Sequence, residues 1–335
     1  MQSGNPNSGG RQPLLWTLVG TTLGLGLLYA STRKIDGAAL VATLKSVEWP
    51  WVCGILGATL AFIAIKAWRW AILLRFIPGL RFRELHSAVY IGLAINFLIA
   101  HVGEFLRTAI VARGHQVAVS TVFASVVIER VLDFIALLLL LALIVALMPD
   151  PPDLVAAAAA FSGGFVLLAV AGLYLLMQPP AWATSFAAFI GRPLPERWRE
   201  RIRRELDRFT PGLAPLRNPQ LLLLAILVSV LQWALVILAI WCSGVAVGTS
   251  VSLVAATVTF VLIIIGLTLP NSPLQIGTTQ LAFVLGVGTD GTGATAAIAA
   301  SLLYTAFLII PIMLVGGGLM LWGQANIGRL RRIRV

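Results

Sequence analysis

The sequence predicts an all-α integral membrane protein: an inverted-topology repeat of about six full spans plus two opposed re-entrant helical hairpins. Three observations carry that expectation. First, 59% of the 335 residues are hydrophobic and 11% are charged, with a mean hydropathy of +0.94, a balance foreign to soluble domains. Second, several apolar runs reach roughly 20 residues, the length that crosses a hydrocarbon core about 30 Å thick. Third, two more apolar stretches, 91–105 and 251–285, are broken in their middles by polar residues and glycine, at 96–103 and 270–277. Interrupted backbone is tolerated at membrane depth only where protein buries it or a wet cavity borders it. One such break in each half of a chain points to a transporter's binding site.

Taken in order, the full spans read as 14–30, 51–74, 121–147, 154–177, 221–242 and 294–322. Arg11 ahead of the first run also fits a signal peptide, but no clear A-x-A site follows, so an uncleaved first span is expected. Arg75, Arg81 and Arg83 follow the second span, residues 178–220 carry eight arginines, and the tail carries Arg329, Arg331, Arg332 and Arg334. By contrast, 148–153 holds only acids and 243–250 holds no charge. The positive-inside bias therefore places both termini, the loop after residue 74 and the basic loop 178–220 in the cytoplasm. Arg33, Lys34 and Lys45 run against this bias, partly offset by Asp36 and Glu48.

Parity turns these sides into a topology. The segment between Arg83 and Arg107 has to enter and leave on the inside, and 251–285 has to enter and leave on the outside. The chain then reads as one transmembrane domain, 1–335, whose second repeat (about 154–322) is the first (about 14–147) turned upside down. Aligning Gly103 with Gly277 also brings Gly114 onto Gly288 and Asn96 close to Asn271. Eight or more ordinary spans joined by unusual loops is the competing topology. Within the basic loop, Trp198, Ile202, Leu206 and Phe209 recur at helical spacing. They describe either a helix on the inner membrane surface or a solvated helix packed on the loops.

The span 121–147 carries Glu129, Arg130 and Asp133. At 1.5 Å per residue Glu129 lies about 12 Å and Asp133 about 18 Å from the cytoplasmic end, and their four-residue spacing puts both on one face. Each ion at that depth costs a few kcal/mol, so it faces a partner or a water-filled cavity. Arg107 and Glu104 of the first hairpin and Lys66 and Arg69 of the second span are the available partners. Two readings stay open: a closed network that clamps hairpin to helix, or one that leaves Arg107 or Arg130 to hold an anionic headgroup. An acid–base enzyme needs a nucleophile or an activated water as well, and no Ser/His/Asp order, Walker loop or Gly-rich nucleotide motif is present. No cofactor is expected. His86, His101 and His115 have no ligand-like spacing, so no metal site is expected either. Cys53 and Cys242 fall in apolar runs and are expected as packed free thiols. The net charge of +11 sits mostly in short loops and the tail, which fits inner-leaflet contact and not nucleic acid.

The run from Asn96 to Arg107, then Gly114, then Glu129-Arg130-Val-Leu-Asp133 resembles the flippase-like family that includes the transmembrane region of lysylphosphatidylglycerol synthases. The later Pro270-Asn-Ser-Pro273-Leu-Gln-Ile-Gly277-Thr-Thr-Gln280 resembles the same family's second motif. There are departures: Ile99-Ala-His101 stands where a proline is usual, and Leu274-Gln275 stands where Gly-Gly is usual. The resemblance implies ATP-independent transfer of a lipid between leaflets of the bacterial inner membrane, or a scaffolding role beside a lipid-modifying enzyme. An intramembrane phosphatase or transferase is a third class. Phospholipid, polyprenyl-linked and hopanoid-type lipids are the implied partners. With no aminoacyl-transferring segment between residues 1 and 335, the chain is not expected to make lysyl-lipid itself. The substrate-binding set expected is Arg107, Arg130, Glu104, Glu129, Asp133, Asn96, Asn271, Gln280, Lys66 and Arg69. Gly103, Pro270, Pro273 and Gly277 are expected to shape the hairpins.

Overall fold

A computed structural model describes residues 11–33, 35–99, 101–147, 164, 168, 196–268 and 273–332. Among them every regular element is helical. The α-helices are α1 (Arg11–Thr32), α2 (Gly37–Lys45), α3 (Trp49–Leu73), α4 (Phe82–Leu98), α5 (Val102–Gly114), α6 (Val119–Leu147), α7 (Glu196–Phe209), α8 (Pro219–Ala246), α9 (Leu253–Thr268), α10 (Thr278–Gly286) and α11 (Ala294–Arg332). Short 3-10 turns cover Thr210–Arg217, Pro273–Gln275 and Val287–Asp290. The expected spans 14–30, 51–74, 121–147, 221–242 and 294–322 fall on α1, α3, α6, α8 and α11. The span 154–177 lies outside the described residues, apart from 164 and 168. Three described helices are long and apolar enough to cross a membrane: Trp49–Leu73, Pro219–Ala246 and Ala294–Gly323.

The chain divides into two compact units. One comprises Met1–Leu60, Ala94–Ala100 and Leu235–Leu314; the other comprises Ala61–Leu93, His101–Ala234 and Val315–Val335. In the first, α2 begins at an Asp36 cap that accepts the Ala38 N–H at 2.9 Å. The start of α3 is tied to the end of α8 by the Glu48 N–H donating to Ala246 O. Trp51 meets Trp241 edge to face at 5.2 Å, and Gly54 leaves room for the buried Cys242 thiol. Cys242 is thus packed, as expected; Cys53 is free as well but exposed, contrary to the packed thiol expected.

Both expected interruptions break a helix. The first separates α4 from α5 at 99–101, where His101 adopts φ 65°. The arms pack closely: a Cβ on Gly92 would stand 2.9 Å from Gly103 O and 3.2 Å from Arg107 Cβ. At the open end, the His115 ring nitrogen lies 3.0 Å from Glu84, whose carboxylate also accepts from the Arg81 backbone and guanidinium. The second interruption separates α9 from α10. Gly266 meets Thr278 at its closed end, and Gly286 lies so close to Thr259 that any side chain would strike backbone. Its open end is held by Asp290, which accepts from the Ser252 N–H (2.6 Å) and hydroxyl (3.1 Å).

Pro270 and Asn271 of the second motif lie outside the described residues, but the turn after them explains the motif's glycines. Leu274 and Gln275 have φ of 60° and 58°, in the region where a Cβ costs about 1–2 kcal/mol. Glycine removes that strain and gives back part of it as unfolded-state entropy. Gln275→Gly is therefore expected to raise stability by about 0.5–1 kcal/mol, read as a higher melting temperature in detergent.

The expected helix in the basic loop is α7, and it lies in the second unit, where its last turn and the chain after it are fastened to the start of α6. The Thr121 hydroxyl donates to Arg208 O at 2.5 Å, and Gly212 sits against Thr121 O and Ala124, leaving no space for a side chain.

Candidate functional site

The second unit collects seven of the ten residues expected to bind substrate. Lys66 and Arg69 come from α3, Glu104 and Arg107 from α5, and Glu129, Arg130 and Asp133 from α6. Neighbours of the acids on α6, Ile128 and Leu132, belong to an apolar core with Ile72, Leu73, Leu216, Ala225 and Val228. That packing fixes the rotation of α6 and turns its carboxylates toward the cations of α3 and α5.

Arg69 is fully buried and serves three acceptors. It donates to Asp133 at 2.5 Å, to the Ser229 hydroxyl at 2.8 Å and to Glu129 at 3.2 Å. Glu129, also fully buried, accepts from Arg107 through its other oxygen. The Arg107 guanidinium lies over the Trp70 ring, 4.4 Å from its centroid, a cation–π contact that suits a weakly hydrated guanidinium. Trp70 is held by its indole N–H donating to Ser125 at 2.8 Å. Arg130 pairs with Glu104 and reaches Asp133 at 3.7 Å, and Trp233 donates to Asp133 at 3.1 Å. Phe105 stacked on Phe123 at 5.0 Å adds an apolar seam between α5 and α6.

The cluster grades from a sealed interior to an open edge. Arg69 and Glu129 have no exposure, whereas the Arg130 side chain is 44% exposed beside Glu104 at 16%. Arg107 and Arg130 each pair with a carboxylate, Glu129 and Glu104 respectively, while Arg107 Nη1 is left without a hydrogen-bond partner. Lys66 is the cation without a hydrogen bond or ion pair among the described residues, although it lies within electrostatic reach of Glu129, Arg107, Arg69 and Asp133.

Of the other expected residues, Pro270 and Asn271 lie outside the described residues. Asn96 and Gln280 belong to the first unit. Gln280 accepts the Gly277 N–H at 2.6 Å and so caps α10. Gly103 lies at the close crossing of α4 and α5, Gly277 on the backbone of Gly24 in α1, and Pro273 opens the 3-10 turn. Ser229, Gln232 and Trp233 of α8 were not among the expected residues. Three polar residues at i, i+3 and i+4 in an otherwise aliphatic span were the available signal, since polar side chains in spans face the bundle interior.

A family model described as the lysylphosphatidylglycerol synthase TM region matches residues 17–316. The chain belongs to that family. The match takes in both interrupted hairpins and the charged helix α6, and with the three long apolar helices it makes this family member a multi-pass helical membrane protein with a lipid-related role. No curated protein matches the chain.

Proposed function

We propose that the chain moves a lipid with an anionic or isoprenoid-linked headgroup between the leaflets of a bacterial inner membrane without ATP. One observation carries this reading: a buried ionic network joins α6 to α5, the returning arm of an interrupted hairpin. Buried pairs add little net stability compared with apolar packing of the same volume, and ions at membrane depth commonly mark a substrate path. In this reading the two hairpins enter from opposite sides as parts of an inverted repeat, with both termini cytoplasmic. Arg107, Arg130, Lys66 and Arg69 attract the phosphate, and Glu104, Glu129 and Asp133 orient them. Asn96, Asn271 and Gln280 meet the headgroup or freed backbone groups, while Gly103, Pro270, Pro273 and Gly277 shape the hairpins. The domain acts as a translocator and not as a catalyst.

Reconstitution into liposomes with labelled lipids tests it. The Glu129→Ala, Arg130→Ala double variant, shown folded by gel filtration, is expected to translocate at least about tenfold more slowly, a barrier increase of ~1.4 kcal/mol. Equal rates overturn the assigned site.

A scaffolding role is the second reading, favoured by the fastening of the basic α7 segment to α6. Replacing the arginines between 197 and 208 by glutamine separates the two. Translocation by the purified protein then persists under the first reading, and a partner enzyme's membrane recruitment is lost under the second.

A further inference from the structure

Donors without acceptors define the ligand of the buried cluster. Arg69 Nε, Arg107 Nη1 and the amide nitrogen of the fully buried Gln232 are buried donors with no hydrogen-bond partner, and two acceptors, Gln232 Oε1 and Asp133 Oδ2, are likewise unpartnered. Lys66 adds an ammonium with no pair, and four cations face three carboxylates, one positive charge in excess. Lys66 and Gln232 share a level of the fold. Phe62 packs on Trp233 at 6.2 Å and Arg69 bonds Ser229 at 2.8 Å, so α3 and α8 run antiparallel here. Lys66 lies between the first pair of contacts and the second on α3, and Gln232 lies between them on α8. Unpaired buried polar atoms are costly; a ligand that supplies acceptor oxygens and one negative charge satisfies the three donors and the excess charge, and a hydroxyl on the same ligand can donate to the two acceptors.

We propose that Lys66 and Gln232 form the anion-accepting centre of this cluster, and that it takes a phosphodiester headgroup of net charge −1 in preference to a neutral or cationic one. The identity of the headgroup as a lipid's rests on the translocation reading; the oxyanion site itself does not. Lysylphosphatidylglycerol, with two amines against one phosphate, carries a net positive charge and is disfavoured. The site is therefore matched to the unmodified phosphatidylglycerol class and not to its aminoacylated product.

The test uses the purified full chain in detergent with short-chain phosphatidylglycerol, phosphatidylethanolamine and lysylphosphatidylglycerol, and with inorganic phosphate, binding being followed by native mass spectrometry. Wild type is expected to hold phosphatidylglycerol at least about tenfold more tightly than the other two lipids, ~1.4 kcal/mol. Lys66→Met is expected to abolish that preference while its melting temperature holds or rises, because an unpaired buried cation has been removed. Lys66→Arg is expected to keep the preference, and Gln232→Leu to weaken it. Equal affinities in wild type, or a Lys66→Met protein that keeps the preference, overturn the proposal. A Lys66→Met protein that melts lower with unchanged selectivity makes Lys66 a clamp and overturns it too. Inorganic phosphate that matches phosphatidylglycerol in affinity, with both lost in Lys66→Met, upholds the oxyanion site and overturns its lipid source. Selective binding by a protein that moves no lipid overturns the translocation reading alone, and translocation without charge preference overturns this proposal alone.

Discussion

Arg69→Leu is expected to cost about 3–5 kcal/mol, the usual result of breaking a buried ionic group by removing one partner. Arg69 serves Asp133, Ser229 and Glu129 at once from a position with no exposure. Leucine fills the volume but leaves Asp133 with only the Trp233 N–H and one long guanidinium contact, and Ser229 without its donor. Lysine does not repair this, since one ammonium cannot reproduce a planar fork aimed at three acceptors. Against a total stability of about 5–15 kcal/mol, such a loss shows as little folded protein in size-exclusion chromatography and an early thermal transition. Adding Asp133→Leu to Arg69→Leu removes the orphaned carboxylate and is expected to recover part of the loss. Arg81→Ala provides the contrast: its side chain is 80% exposed on Glu84, and exposed pairs are worth about 0–1 kcal/mol. An Arg69→Leu protein that melts with wild type would show that the network adds nothing to the fold.

Gly277→Ala is expected to be nearly as damaging, at about 3 kcal/mol, because strain at a special backbone position and overpacking add together. Gly277 has φ 95° and ψ −52°, outside every region an L-residue favours. Its added Cβ would enter the space of the Gly24 carbonyl. Both obstacles are backbone, so no side chain can rotate out of the way. The Gly277 N–H also donates to Gln280, and shifting it uncaps α10. Gly288→Ala and Gly293→Ala, at positions with open space around the missing Cβ, are expected to stay within about 0.5 kcal/mol of wild type. Comparing the three in the same detergent separates close approach from glycine content in general.

The helical breaks were legible because polar residues and glycine inside an apolar run are a local signal; His101, Leu274 and Gln275 adopt left-handed backbone inside the two interruptions. The long apolar helices and the helix in the basic loop were legible for the same reason, since hydropathy and helical period are properties of a short window. Who pairs with whom was not. Arg69 and Ser229 are 160 residues apart in sequence, and nothing in either neighbourhood names the other. Charge counting alone cannot tell which of four cations the three carboxylates leave over, so the sequence offered Arg107 and Arg130, and the pairing in the structure adds Lys66. Gln280 reads in sequence as a polar group for a headgroup, yet its nearest duty is a helix cap three residues back, which only the turn geometry exposes.

During synthesis the membrane-insertion machinery meets each helix in turn and tests it for residence in the bilayer. At 13 and 9 residues, α5 and α10 are about 20 and 14 Å long, well short of a core about 30 Å thick. Neither can be retained there by itself. In the re-entrant arrangement proposed above, each is delivered together with its antiparallel neighbour, Gly92 against Gly103 in one case and Gly286 against Thr259 in the other. A bulky residue at either crossing would therefore be felt first by the nascent chain, as a segment left stranded in water, before any defect in the mature protein had the chance to appear.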